Sequence, residues 1–213
     1  MTDAGTLDDR TADRRRTRGD RSRRHILEHA AAIASVDGLE GLTIGRLATE
    51  AGVAKGNIQV LFGDKQALQL ATIDHVSAVY GGAIWEPALD IASPLARLML
   101  MVENWFDFVE RRELPGGCFM NAVSSEFRAR PGAVRDRVAE HRVRKRDRYV
   151  AAIREGQAAG EIDPKADAEQ VAFELLAFQA LANVAVTIGD EAEFATARKT
   201  SLKLLKALST RRG

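Results

Sequence analysis

Residues 43 to 68 read TIGRLATEAGVAKGNIQVLFGDKQAL. Thr43 is a good N-cap, because its hydroxyl can accept from a free N–H of a first helical turn. Ile44, Leu47, Ala48 and Ala51 follow at i, i+3, i+4 and i+7, one apolar stripe of a helix. Gly52 stands where a left-handed residue ends that helix. A second helix is expected from about Ala54 to Phe62, with Ile58, Leu61 and Phe62 inward. Two short helices around a Gly-containing turn make the helix-turn-helix pattern, whose second helix can enter a DNA major groove.

Working outward, Gly38 and the stripe Ile26, Ala30, Ile33 and Ala34 predict a supporting helix over about 23–36, capped by Ser22. Residues 1 to 21 hold few large apolar side chains and predict a flexible Arg-rich arm. Residues 14 to 24 carry seven Arg against one Asp. The chain as a whole has a net charge of only +1, because residues 66 to 213 balance at 20 basic and 20 acidic residues. The local excess, set directly before a helix-turn-helix, suits phosphate or minor-groove contact.

Downstream, Asp64 caps a helix over about 65–83. Gly81-Gly82 and Pro87 mark a break. Ser93-Pro94 restarts a helix over about 94–112, since Pro is well tolerated at the first helical position. Further helices are expected over about 118–128, 133–159, 168–188 and 191–209. The basic cluster Arg142 to Arg148 reads as a solvated face, although Lys145 falls on the same side as Val134, Val138, His141 and Tyr149. The helix at 168–188 is apolar on most sides and must be covered on more than one. No stretch reads as a strand. The expected fold is all-α, about nine helices, with domains at 22–68 and 69–213.

A length of 213 residues and 46% hydrophobic content allow a real core. A single cysteine, Cys118, excludes an intrachain disulfide and reads as a buried or pocket-lining thiol. No apolar run of 18 residues and no signal-peptide pattern occur, so the expectation is a cytoplasmic protein without a membrane span. His25-Ile26-Leu27-Glu28-His29 matches the H-x-x-E-H zinc pattern. No third ligand accompanies it, and His75 and His141 stand alone. The expectation is therefore no metal, no cofactor and no enzyme. A helical metal-dependent enzyme is the weaker alternative.

The chain resembles the TetR/AcrR family of transcriptional regulators. The resemblance rests on I-L-x-x-A-A (Ile26, Leu27, Ala30, Ala31), Gly38, and L-T-I-x-x-L-A-x-x-A-G-V-A-K-G from Leu42 to Gly56. Phe62, Lys65, Ala67 and Leu68 close it. Gly117 to Phe127 and Arg154 to Pro164 are similar to the ligand domains of one branch. The resemblance implies a homodimer, with a helix-turn-helix head on a pseudo-palindromic double-stranded operator. A small-molecule effector in a C-terminal ligand-binding and dimerisation domain releases it, so repression is the default. Carried over by position, Lys55, Gly56, Asn57, Gln59 and Val60 meet the groove, and Thr43 and Lys65 meet phosphates. Family members often carry aromatic or His residues where Gln59, Val60 and Leu61 stand, so an unusual operator preference is expected. A regulator acting only through protein partners is the alternative reading.

The same resemblance places the pocket in the C-terminal helices. Its candidates are Met99, Trp105, Phe106, Phe119, Met120 and Phe127, with Asn121, Ser124, Phe178 and Asn183. The final two helices supply the expected dimer face: Phe173, Leu176, Ala180, Val184, Leu202 and Leu205.

Overall fold

The computed structural model describes residues 5–210, with side-chain surroundings from residue 19 onward. Nine α-helices occur among them: α1 Gly5–Asp37, α2 Ile44–Glu50, α3 Lys55–Phe62, α4 Lys65–Tyr80, α5 Pro94–Glu110, α6 Phe119–Phe127, α7 Ala133–Ala158, α8 Ala168–Ile188 and α9 Glu191–Ala207. No strand is present among the described residues, only an isolated bridge between Ile162 and Ser209.

The expected caps hold most helix starts in place. Thr43 Oγ1 accepts from Arg46 N, Asp64 from Ala67 N, Ser93 from Ala96 N, Asp167 from Glu169 N and Gln170 N, and Asp190 from Glu193 N. Each satisfies an N–H that a first helical turn otherwise leaves free.

Two segments depart from expectation. Residues 5 to 21 continue α1 toward the N-terminus, so Ser22 lies inside the helix and caps nothing. The segment lacks Pro, is rich in the helix former Arg, and sets Asp20 four residues before Arg24, a spacing that supports a helix. Residues 1–4 of the expected arm lie outside the described residues. The second departure follows α4. The Gly81-Gly82 break is not an open loop but a π-helical stretch, Gly81–Trp85, running into a 3-10 turn, Glu86–Ala88. Asn104 Nδ2 on α5 donates to Ile84 O at 3.2 Å and fastens it.

The head is α1 to α3 with the start of α4, closed around Ile26, Ala30, Leu39, Leu42, Leu47, Ile58 and Leu68, all fully buried. Burial of each of the leucine and isoleucine side chains contributes about 1.5–3 kcal/mol. The other helices form a bundle around Trp105, Phe106, Phe119, Tyr149 and Ile153. Arg198 on α9 binds three carboxylates of α5: Glu103 at 2.6 Å, Asp107 at 2.6 Å and Glu110 at 3.0 Å.

Head and bundle meet at two close contacts. Gly116 N donates to Ser35 Oγ at 3.0 Å, and a Cβ on Gly116 would lie 1.8 Å from Ser35 O. No side chain fits there. Glu126 on α6 accepts from Leu39 N and Glu40 N, each at 2.9 Å. Gly38, at φ +74°, brings the chain under that carboxylate, where a Cβ would sit 2.6 Å from Oε2.

By length and composition α8 could cross a membrane, with a mean hydropathy of 1.8 over its most apolar stretch. It is not an unbroken apolar run, since Glu169, Glu174, Gln179 and Asn183 fall within it. In the fold α8 packs against α5, α7 and α9. One stripe of it is left exposed: Phe173, Leu181, Val184 and Ile188, at 65%, 48%, 51% and 72%.

Candidate functional site

The first site is the outer face of α3. Ile58 and Phe62 are buried and fix the rotation of the helix. Lys55, Gly56, Asn57 and Gln59 are consequently exposed, and Val60 is 87% exposed. Lys55 at the start of α3 lies beside α2, its Nζ 3.6 Å from where a Cβ of Gly45 would be. Thr43 is exposed at the head of α2, with its oxygen used as the cap. Lys65 is differently employed. Its ammonium donates to Glu40 O at 2.9 Å and to Glu40 Oε2 at 3.2 Å, which ties α4 to the loop before α2. The Glu40 carboxyl is held below its usual range, first by that Lys65 bond.

Two side chains of α1 act as struts. Arg23 donates to Leu61 O at 3.1 Å, and its guanidinium lies 4.5 Å from the Phe62 ring centre. His25 Nε2 meets Ala51 O at 3.1 Å, and its ring stands edge-on to His29 at 4.8 Å. His25 of the H-x-x-E-H match thus helps to hold α1 against the end of α2.

The second site is a cavity of about 570 Å³ in the bundle. Volumes of about 300–1,000 Å³ are usual for small-molecule sites. Its wall comes from α4 (Ser77, Tyr80), the π-helical stretch (Ile84, Trp85), α5 (Trp105), α6 (Met120, Asn121), α7 (His141, Lys145) and α8 (Phe173, Leu176, Ala177, Ala180). Both tryptophans of the chain are in this wall. A shallower groove of about 770 Å³ adjoins it, lined by Asn121, Ser124, Phe127, Asn183 and Val184.

The pocket candidates thus divide three ways. Trp105, Met120 and Asn121 line the cavity; Ser124, Phe127 and Asn183 line the groove. Phe106 and Phe119 are fully buried and belong to the closed core, with Phe106 stacked edge-on against Trp105 and Phe194. Met99 and Phe178 are half-buried and line neither. Asn183 also has a backbone task, since its Oδ1 accepts from Cys118 N at 2.5 Å. Cys118 is fully buried, with the Tyr80 hydroxyl 3.7 Å from its sulfur.

Tyr80, Ile84, Trp85 and Lys145 escaped sequence reasoning. The first three sit where the helix continues through an apparent break. Lys145 lay on the inward stripe of α7, but its charge pointed to solvent. In the fold its ammonium turns inward, 5.4 Å from the Trp105 ring centre. At the cavity rim, His141 meets Ser77 Oγ at 2.9 Å and Asp74 Oδ1 at 3.1 Å, while Arg137 also grips Asp74. Burial pushes the His141 pKa down.

Among the dimer-face candidates, Phe173, Ala180 and Val184 are exposed along α8, and Leu176 and Leu202 are half-buried. Leu205 is fully buried between α9 and its own bundle and offers nothing to a partner.

Residues 26–72 match the family model for bacterial regulatory proteins of the tetR family. Residues 94–201 match the model for the tetracyclin repressor-like C-terminal domain. No curated protein matches the chain. Among solved structures, a TetR transcriptional regulator from Chloroflexus aurantiacus is 22% identical, with a TM-score of 0.82, covering 91% of this chain and 98% of that one. A TetR-family regulator from Cytophaga hutchinsonii is 21% identical, TM-score 0.76, covering 92% and 98%. AibR, solved with isovaleryl coenzyme A and operator DNA, is 21% identical, TM-score 0.62, covering 76% and 85%.

Proposed function

Since the chain belongs to the tetR family of bacterial regulatory proteins and is a DNA-binding transcriptional regulator, we propose that it reads its operator with α3 and is released by a small molecule in the bundle cavity. The observation that carries the first half is the rotation of α3. Burial of Ile58 and Phe62 leaves Asn57 and Gln59 outward, and an amide side chain can pair with adenine in the major groove. Val60 offers apolar contact, as to a thymine methyl. Thr43 and Lys55 flank this face and suit phosphates. Lys65 reaches a phosphate only by leaving Glu40, so its role here is to position the loop before α2.

The apolar stripe of α8 is the surface we assign to a second copy, because exposed apolar areas of this kind mark interfaces. Phe173 belongs to both the stripe and the cavity wall, and Ala180 of the wall lies exposed beside the stripe, so a partner seated there also closes the cavity. Effector binding then biases the dimer between two head spacings, one of which fits successive major grooves about 34–36 Å apart. We place the protein in the cytoplasm, where an operator is reachable.

A salt-titrated gel shift on the DNA flanking its own gene tests the reading. Binding should weaken steeply with salt, as phosphate contacts require. Absence of a shift, or a shift indifferent to salt, contradicts operator binding.

A further inference from the structure

Two residues of the cavity wall hold buried donors without a partner among the described residues, and a third holds an ammonium with no carboxylate beside it. Trp105 Nε1 and Asn121 Nδ2 are buried and without a partner. Trp105 is only 1% exposed, so water does not serve it from outside. The third is the Lys145 ammonium, over the Trp105 ring, with no carboxylate beside it. Among the described residues of the wall there is no Asp or Glu at all, while Arg142, Arg144 and Arg148 stand at its edge. Unsatisfied buried donors are uncommon in folded proteins, and a buried charge is usually paired. Here the residues that carry them line one cavity, and what they lack in common is an acceptor. The rest of the wall is apolar or aromatic: Tyr80, Ile84, Trp85, Met120 and Leu176.

We propose that the effector is an organic anion with an apolar body, a carboxylic acid in its simplest form, whose oxygens take the Lys145, Trp105 and Asn121 donors. The apolar body lies against Trp85, Ile84 and Met120. Burial holds the Lys145 pKa below that of an ordinary lysine; an anion beside it acts in the opposite sense and keeps it charged. The inference rests on the reading of this cavity as the effector site.

The two tryptophans make the cavity visible in solution, because both line it. The full-length dimer is titrated with decanoate and 4-phenylbutyrate, and with their neutral counterparts decanamide and 4-phenylbutyramide, following tryptophan emission. At least one acid should perturb the emission and bind about tenfold or more tightly than its amide, as expected for a hydrogen-bonded charge. Lys145→Met should abolish that preference without lowering the melting temperature or the operator affinity. An amide that binds as well as its acid overturns the proposal. So does a preference that survives Lys145→Met, and so does silence from all four compounds at millimolar concentration. Should Lys145→Met fail to fold, Asn121→Leu is the second variant, expected to reduce the preference severalfold; an unchanged preference there counts against the proposal. A gel shift separates the two readings. Acids that bind selectively without releasing the operator leave the anion site standing and refute the effector role. Amides that bind and release the operator do the reverse.

Discussion

Replacing Glu126 by Ala removes the carboxylate that joins the bundle to the head. Its two oxygens accept from Leu39 N and Glu40 N, both at 2.9 Å, across 87 and 86 residues of sequence. Hydrogen bonds to a charged group contribute about 1.5–3 kcal/mol each when buried. Glu126 is half-exposed, and solvent screening brings each bond down to about 1 kcal/mol. The expected loss is therefore about 2 kcal/mol, or a melting temperature lower by roughly 4–8 °C for a chain of this size. Differential scanning calorimetry at fixed protein concentration measures it. The same residue should matter for communication. α6 carries Met120 and Asn121 in the cavity wall, and its Glu126 grips the loop that leads to Thr43 and α2. Glu126→Ala should thus shrink the effect of a bound ligand on operator affinity, measured by fluorescence anisotropy with and without ligand. Glu126→Gln keeps one acceptor oxygen and should lie between the two. A melting temperature within about 1 °C of wild type, together with undiminished ligand response, refutes this account of the joint.

Asn57→Ala and Gln59→Ala should each alter the preference among operators by roughly 1–3 kcal/mol per lost bidentate base contact, read by binding to a panel of single-base operator variants. Arg198→Ala leaves Glu103, Asp107 and Glu110 facing one another on α5; it should lower stability by about 1–2 kcal/mol, checked by urea unfolding. His75 and His141 both have pKa values pushed below the ordinary 6.5, chiefly by burial. The unfolded chain then binds more protons than the folded one as pH falls below 6.5, so stability is complete above that value and lost on acidification. A melting-temperature series between pH 8 and pH 5 should show this decline, and His141→Gln should flatten part of it.

The legible part of this chain is the part that local chemistry dictates. Thr43, Asp64, Ser93, Asp167 and Asp190 each cap a helix because the partner N–H is two or three residues away, and a one-dimensional reading contains both groups. Ile58 and Phe62 fix the outward face of α3 by the same short-range periodicity. Glycine after α4 was a weaker guide. Gly81-Gly82 permits a break but does not require one, and packing against Asn104 carries the backbone on as a π-helical turn. That choice sets Ile84 and Trp85 in the cavity wall. The α1 extension is a second case, where helix propensity over residues 5 to 21 outweighs the lack of an apolar face.

What sequence could not hold is the pairing state of each polar group. Lys145 lies on the inward stripe of α7, beside a run of arginines whose ordinary meaning is solvated surface. Whether such a lysine is an outlier or a binding group depends on what faces it. Trp105 lies 40 residues earlier and Asn121 24 residues earlier, on two other helices, and only the folded bundle brings these side chains, with their unpaired N–H groups, into one wall. A buried donor without a partner costs roughly 1–3 kcal/mol. Two such donors, on Trp105 and Asn121, beside an ammonium with no carboxylate are a standing expense that packing alone gives no reason to keep, since apolar side chains of similar size fill such positions at no such cost. An acceptor-bearing ligand supplies the reason, and it also explains why no carboxylate among the described residues stands in the wall. An internal carboxylate would satisfy Lys145 permanently and leave a ligand nothing to gain. On this argument, introducing one by Met120→Glu should raise thermal stability or leave it unchanged, while abolishing the acid-over-amide preference in tryptophan emission. Retention of that preference would show that Lys145 is not the group the acid meets.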